Sequence, residues 1–201
     1  METLVKTTPK TSTNSAIPED ARIFLTDYAS YNAGTQFEFG HWVSLDKFAD
    51  IDELNAYISN HFKEADKKSP LGFGSIREEI MITDFEGFPS AFYSESMHFE
   101  PLYEFFERAS DYYYDTETIE AFIKMGIVQP YDDNFFQELE DHYMGEFDSD
   151  KDFAMDYAEQ CGDYDFNKPQ PWPLNNIDWD GATLEHMQYY YEQDGHYFRN
   201  C

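Results

Sequence analysis

The sequence has few cysteines, few basic residues and no long apolar run. Cys161 and Cys201 are its only two cysteines, and neither lies in a C-x-x-C pair, which excludes a disulfide scaffold and predicts reduced thiols. Only 13 Lys and Arg accompany 41 Asp and Glu, a formal charge of −28. A free nucleic-acid-binding protein is excluded because binding needs cations that neutralise phosphates.

The chain also lacks 18 consecutive apolar residues, and its polar start, METLVKTTPKTSTNSAIPED, lacks the apolar region of a signal peptide. These absences predict a soluble cytoplasmic protein with no membrane partner. Aliphatic residues are sparse as well, so a large aliphatic core is not expected. The 19 Phe, 16 Tyr and 3 Trp supply the core instead, because each ring can bury about 150 to 250 Å². Large rings dispersed along the chain predict several small modules.

Short strands and amphipathic helices alternate along the predicted chain. Asp50 with Glu53 forms a capping box, and Leu54, Ile58 and Phe62 form the apolar stripe of the helix that follows. A polar loop is expected at 63–75, and strands are expected in the aromatic segment 177–200. The other predicted elements are strands at 22–27, 40–45 and 80–85, and helices at 100–110, 116–125 and about 150–161.

Most of the negative charge lies after residue 100, and two predicted helices present it as stripes. The carboxylates of each stripe are spaced by four, three and four residues, which places them on one helix face about 5 to 6 Å apart. One stripe comprises Glu100, Glu104, Glu107 and Asp111, and the other comprises Asp152, Asp156, Glu159 and Asp163. An ordinary solvated face is the simplest interpretation, but like charges at this spacing destabilise a helix. Two uncompensated stripes therefore favour a functional role for the carboxylates.

The stripe spacing resembles the lattice of a nucleic-acid backbone. Duplex DNA carries about one charge per 1.7 Å, so the net charge of the chain corresponds to about 48 Å of duplex, or about 14 base pairs.

Calcium binding is an alternative function for the second stripe. Positions 1, 3, 5, 9 and 12 of an EF-hand loop are matched by Asp148, Asp150, Asp152, Asp156 and Glu159. Position 6 requires glycine, however, and here it is Phe153. The same residues also fit a helix start with Ser149 as N-cap and Asp152 at the third helical position.

Enzyme signatures are missing from the sequence. The six histidines form no H-E-x-x-H motif, and no G-x-S-x-G, Walker-type or G-x-G-x-x-G motif occurs. The chain is therefore predicted not to be an enzyme, with no catalytic residue, no cofactor and no metal site.

The segment ELEDHYMGEFDSDKDFAMDYAEQCG resembles the antirestriction motif of the ArdA family. Other segments resemble the family in the expected order: RIFLTDYASYNAG with Tyr31, Asn32 and Gly34, then GHWVSL, EEIMITDFEGFP, IDW and HYFR. The resemblance covers about residues 22 to 200. The first 21 residues look like an addition, and GATLEHM replaces a more charged stretch.

The resemblance implies an α+β fold: an elongated chain of three small domains with short antiparallel sheets and a helical middle domain. The implied division is a disordered tail at 1–21, an N-terminal α+β domain at 22–94, a helical domain at 95–137 and a C-terminal α+β domain at 138–201. The last domain would carry the motif and the contact of a two-fold homodimer.

The implied function is antirestriction by mimicry of bent duplex DNA. Surface carboxylates would occupy the DNA-binding groove in the methyltransferase core of type I restriction-modification enzymes in a bacterial host, protecting mobile DNA. We predict that this surface comprises the acidic set: Glu100, Glu104, Glu107, Asp111, Asp115, Asp132, Asp133, Glu138, Asp141, Asp148, Asp152, Asp156 and Glu159. The predicted motif residues, assigned to domain geometry and the dimer contact, are Tyr143, Gly145, Phe147, Ser149, Phe153 and Ala154. The calcium-binding module and an acidic adaptor for basic DNA-binding proteins are the alternatives.

Overall fold

The computed structural model describes residues 16–74 and 76–200. The chain forms two compact units, the first ending at Thr116 and the second beginning at Glu117, and each contains a three-stranded antiparallel sheet. The predicted mixture of helices with short antiparallel sheets is confirmed. The division into three domains stays a prediction. Of the predicted tail, residues 1–15 lie outside the described residues, whereas Ile17 is buried.

The first unit alternates short strands with helices. Single turns of 3-10 helix occur at Leu45–Lys47, Gly72–Gly74 and Ser90–Phe92. Its elements in chain order are β1 (Arg22–Asp27), α1 (Tyr28–Asn32), α2 (Gln36–Phe39), β2 (His41–Ser44), α3 (Ile51–Lys68), β3 (Ile80–Glu86) and α4 (Glu100–Ala109).

The sheet of the first unit has the order β2-β1-β3. Ile23 and Leu25 on β1 are fully buried, as is Ile82 on β3, whereas Arg22 and Phe24 are half-buried. This alternation follows from the two-residue side-chain period of a strand, which directs successive side chains to opposite faces. The apolar face of the sheet therefore belongs to the core of the unit.

The capping box predicted for α3 is present with one difference: Glu53 binds the backbone N of Ala49, the residue before the N-cap Asp50. Asp50 Oδ1 accepts from the Glu53 backbone N at 2.9 Å, and Glu53 Oε2 accepts from the Ala49 N at 2.7 Å. Leu54, Ile58 and Phe62 are buried as predicted. The polar loop expected at 63–75 is partly wrong, because α3 continues to Lys68.

The described part of the second unit contains four α-helices and three strands. Additional 3-10 turns occur at Leu174–Asn176 and Met187–Tyr189. In chain order its elements are α5 (Thr116–Met125), α6 (Phe135–His142), β4 (Tyr143–Glu146), α7 (Asp150–Gln160), α8 (Trp179–His186), β5 (Tyr190–Gln193) and β6 (His196–Arg199), with α5 beginning one residue before the boundary.

Strand β6 is central in the second sheet, whose order is β4-β6-β5. Phe198 lies against Phe122 of α5, with ring centroids 5.5 Å apart. The preceding residue, Tyr197, lies against Phe153 of α7, with ring centroids 4.7 Å apart. Because neighbouring strand residues point to opposite faces, α5 and α7 cover different faces of the sheet.

The sequence predictions hold best for the longer elements. β1 and α5 have the predicted bounds, and α4 and α7 differ from prediction by one residue at their ends. The stretch between β1 and β2 was expected to be a turn, but it contains two short helices. The segment 177–200 contains the expected strands but begins with α8. Helix α6 and strand β4 were not predicted.

Among the described residues, no helix has the length and apolar character needed to cross a membrane.

Candidate functional site

Helix α4 separates its acidic and apolar residues as the spacing predicts. Glu100, Glu104 and Glu107 are exposed, and Asp111 is exposed just beyond the helix end. On the opposite side Leu102 and Phe105 are buried at 0% and 1% exposure. Packing by the rings of this helix therefore holds the first stripe at the surface.

Within residues 16–74 and 76–200, none of the four carboxylates of this stripe forms an ion pair. Arg108 is the basic residue of α4, and its Nε donates to the backbone O of Glu104 at 3.4 Å. Ion pairs elsewhere in the first unit involve other acids. The stripe therefore retains its negative charge.

The second stripe, on α7, accepts hydrogen bonds from neutral donors. Gln160 Nε2 donates to Asp156 at 2.5 Å, and Asn167 Nδ2 donates to Glu159 at 3.3 Å. Ser149 Oγ donates to Asp152 at 2.6 Å. Amide and hydroxyl donors orient a carboxylate without cancelling its charge.

Helix α6 repeats this arrangement. Asn134 Nδ2 donates to Glu138 at 3.1 Å, and Gln137 Nε2 donates to Asp141 at 3.2 Å. His142 Nε2 lies 3.6 Å from Glu138, while its Nδ1 donates to the backbone O of Arg199 at 2.6 Å. This histidine anchors α6 to β6.

All three lysines of the second unit pair with acids outside the acidic set. Their ion pairs are Lys124 with Asp194 at 2.7 Å, Lys151 with Asp180 at 2.8 Å, and Lys168 with Asp165 at 2.6 Å. The hydrogen bond and charge of Lys151 lower the pKa of Asp180. The sparse basic residues therefore leave the acidic set largely uncompensated.

The structure places the whole acidic set at or near the surface. Glu138 and Asp156 are half-buried, and the other members are exposed. Asp132 Oδ2 accepts from the Gln129 backbone N at 3.1 Å, which holds its loop. Members up to Asp115 belong to the first unit, and members from Asp132 onward belong to the second.

The motif residues form a packed cluster beside this acidic surface. Gly145 has φ of +128°, and a Cβ there would lie 3.0 Å from the ring of Phe147. Only glycine allows both this backbone conformation and the close approach of the ring. The Phe147 ring then contacts Phe153 and Tyr197, with centroids 5.1 and 5.6 Å away.

Helix α7 begins within the motif. Ser149 is the N-cap, and its side chain accepts from the Asp152 backbone N at 3.2 Å. Phe153 and Ala154 are buried. The motif therefore specifies where this acidic helix starts and which face it buries.

Tyr143 is half-buried on β4 and joins the motif to the far side of the sheet. Its OH lies 3.2 Å from Nδ1 of the buried His196, and its ring centroid lies 5.4 Å from that of Phe198.

Sequence reasoning missed Tyr197, which links β6 to α7. Its OH donates to Asp150 Oδ1 at 2.8 Å. Burial, supported by this hydrogen bond, raises the pKa of Tyr197. The resemblance of HYFR to the family was the available signal, but it did not indicate a partner for the hydroxyl.

An open cleft of about 640 Å³ lies beside the motif, lined by Phe147, Asp148, Ser149, Asp150, Lys151, Asp180, Thr183, Glu192, Gly195 and Tyr197. Its lining combines four acids with Lys151, which is already paired with Asp180. The cleft is therefore part of the acidic region of the second unit.

The EF-hand-like segment 148–159 forms the start of helix α7 and not a calcium-binding loop. Residues Asp150–Gln160 are helical from the cap onward, so their side chains project outward instead of surrounding one point. Within the described residues no three His, Cys, Asp or Glu side chains are arranged to hold a metal ion.

Comparison with known proteins identifies the family. No individual curated protein matches the chain. The model of the ArdA antirestriction proteins matches residues 23–198, which includes both sheets and the motif. This is a family of inhibitors rather than enzymes, and membership implies an interaction with restriction-modification enzymes. The chain belongs to the ArdA family of antirestriction proteins.

Proposed function

We propose that this protein is a non-catalytic DNA mimic that occupies the DNA-binding groove of type I restriction-modification enzymes. The acidic set would take the place of phosphates and meet the Lys and Arg side chains that bind DNA. Incoming mobile DNA in a bacterial cytoplasm would be protected because the enzyme could no longer bind it.

The main observation behind this proposal is the nature of the groups around the acidic set. Members on α6 and α7 accept from Asn, Gln and Ser, and the stripe on α4 has no ion-pair partner among the described residues. Carboxylates that accept hydrogen bonds from neutral side chains keep their full charge while their positions are restricted. The phosphates of a DNA backbone are likewise charged and fixed in position. Lysines interleaved at i+4 would instead have produced an ordinary solvated helix.

Binding to a purified type I methyltransferase core is expected to exclude duplex DNA and to weaken with salt. Affinity should fall at least about tenfold between about 50 and about 200 mM salt, because exposed charges are screened beyond roughly 8 to 10 Å. Displacement of a labelled duplex across this salt series measures both effects.

A ternary complex of enzyme, duplex in its groove and this protein would contradict the competition. The matched control is a chain with the α4 stripe neutralised, whose affinity should depend less steeply on salt.

We further propose that the protein acts as a homodimer through its second unit. A two-fold dimer would double the roughly 14 base pairs of charge that one chain offers. The packing of Phe147 against Gly145, Phe153 and Tyr197 would serve the geometry of that unit rather than direct contact with the enzyme.

Changing Phe147→Ala is expected to weaken self-association or destabilise the second unit by about 2 kcal/mol, because it removes the ring shared by β4 and α7. The net charge stays at −28. Sedimentation over a concentration series, run beside an inhibition assay, measures the effect. Phe166→Ala, which changes a partly exposed ring of the same unit, is the control. A wild-type chain that inhibits fully yet stays monomeric at every concentration would rule the dimer out.

A further inference from the structure

One face of the sheet in the first unit carries aromatic rings at the surface. Two cross-strand rows run over β2, β1 and β3: Trp42, Phe24 and Asp84 form one row, and Ser44, Arg22 and Glu86 form the other. Phe37 of α2 lies beside the first row. Residues paired directly across strands point to the same face. We call the following residues the outer face: Arg22, Phe24, Phe37, Trp42, Asp84 and Glu86.

The rings of the outer face hold one another in fixed orientations. Phe24 lies edge-to-face with Phe37 at 5.9 Å and with Trp42 at 5.7 Å. A Cβ at Gly40 would lie 2.9 Å from the Phe24 ring and 2.2 Å from the backbone O of Gln36. Glycine at position 40 therefore allows α2 to bring Phe37 against Phe24. Phe37 nevertheless remains 75% exposed.

Arg22 shows how a guanidinium packs on this surface. Its guanidinium carbon lies 4.6 Å from the ring centroid of Trp42, and its Nε and Nη2 lie 2.6 and 2.5 Å from Glu86 Oε2. An aromatic face and a carboxylate thus hold a guanidinium together. The planar guanidinium suits this arrangement better than an ammonium group, because it stacks on rings while donating in its own plane.

The neighbouring row repeats this combination of ring and carboxylate. Asp84 is exposed and lies directly across from Phe24, and the Phe24–Phe37 pair offers the aromatic surface. Asp84 Oδ1 accepts from the backbone N of Phe85 at 2.9 Å, and no cation pairs with Asp84 in the described part of the chain. The second ring-and-carboxylate pair therefore faces solvent.

We propose that the outer face binds an arginine side chain of a basic protein partner, with Phe37 and Phe24 as the stacking surface and Asp84 as the ion-pair acceptor. Charge complementarity selects such a partner, because the rings lie in a strongly acidic protein beside an exposed carboxylate. Identifying that partner with the DNA-binding enzyme rests on the proposed function. The outer face would then add arginine-specific contacts to the general attraction of the acidic set.

A peptide titration separates arginine recognition from simple charge attraction. The probe is the full chain with Trp172→Phe and Trp179→Phe, which leaves Trp42 as the only tryptophan. Two acetylated five-residue peptides are compared: one contains two arginines and three glycines, and the other contains two lysines and three glycines. Each is added at about 0.3 M salt, where long-range charge attraction is screened. Trp42 emission should report binding of the arginine peptide at least about fivefold tighter than the lysine peptide.

Adding Phe37→Ala and Asp84→Asn to this chain should abolish the difference between the peptides. The matched control adds Tyr31→Ala and Glu79→Gln, which remove an exposed ring and an exposed charge of the same unit outside the outer face, and it should keep the difference. Equal binding of both peptides by the unaltered outer face would overturn the proposal.

Duplex displacement from the type I methyltransferase core tests the partner. The Phe37→Ala, Asp84→Asn chain should displace duplex about fivefold less well than the Tyr31→Ala, Glu79→Gln chain. Equal displacement by the two chains would overturn the proposal for this enzyme. If the wild-type chain displaces no duplex, the proposed function is wrong. The peptide titration by itself then shows whether the outer face binds arginine. If the variant only weakens self-association in sedimentation, the outer face binds a second copy and the proposal is wrong.

Discussion

Replacing Glu100, Glu104, Glu107 and Asp111 together by Gln and Asn is expected to lower affinity for a type I restriction enzyme about thirtyfold. Each exposed charge pair contributes roughly 0.2 to 1 kcal/mol, so four of them contribute about 2 kcal/mol. Glu100, Glu104 and Glu107 share one exposed face of α4, and Asp111 is exposed just beyond its end. None of the four has an ion-pair partner among the described residues. All four are therefore available to the cations of a partner.

Single replacements should behave differently from the combined one. Glu104→Gln alone is expected to cost less than about 1 kcal/mol of binding, because the remaining carboxylates maintain the field. Titration calorimetry or duplex displacement at one fixed salt concentration measures both variants. One carboxylate whose loss abolishes inhibition, while its neighbours have no effect, would indicate a discrete site instead of a mimicked backbone.

The matched control has the same change in net charge at other exposed positions of the first unit. Glu19, Glu78, Glu79 and Glu95 are exposed and lie outside the helical stripes. Replacing these four by Gln should reduce affinity severalfold less than neutralising the stripe, because their effect on the partner is only long-range and is screened. Equal losses would show that net charge alone, and not the stripe, drives binding.

Arg77→Met is expected to destabilise the first unit by about 3 to 5 kcal/mol, the usual cost of leaving a buried charge without its partner. The Arg77 side chain is only 4% exposed. Its Nη1 donates to Asp66 at 2.7 Å and to the Ser69 backbone O at 2.9 Å, and its Nε lies 3.5 Å from Asp27, which is 1% exposed. Its guanidinium carbon also lies 4.8 Å from the ring centroid of Phe39.

Urea unfolding followed by circular dichroism measures this loss. Arg22→Met removes an arginine whose ion pair is about half exposed, and it should cost less than about 1 kcal/mol. Combining Asp27→Asn with Arg77→Met should restore part of the stability, because it removes the uncompensated buried carboxylate. An unchanged unfolding midpoint for Arg77→Met would show that the cluster does not stabilise the unit.

The predictable parts of the fold are those whose signals are local in sequence. The first four residues of β1 alternate between half-buried and buried side chains, and α5 ends where Gly126 adopts φ of +71°. The caps Asp50 and Ser149 mark the starts of α3 and α7. In each case the deciding interactions lie within four residues along the chain, so the pattern is readable without the fold.

The helical residues that the sequence did not predict depend on contacts that are distant in sequence. The last turns of α3 look polar, but Ala65 is buried and Asp66 binds Arg77 eleven residues away. Helix α8 contains Gly181 and Thr183, which are poor helix formers. Asp178 caps its start, and Asp180 pairs with Lys151 of α7. Tertiary partners therefore override weak local propensity here.

For this protein the sequence by itself determined the acidic character, the two helical stripes and the family motif, because charge count, spacing and capping are properties of neighbouring residues. Only the tertiary structure decided which acids are paired. In the fold, Lys124 pairs with Asp194 and Lys151 pairs with Asp180. The acidic set on α6 and α7 accepts hydrogen bonds from Asn and Gln side chains instead. The tertiary structure also buried Arg77 and assembled the outer face, since such partners are chosen by packing between segments that the sequence keeps far apart.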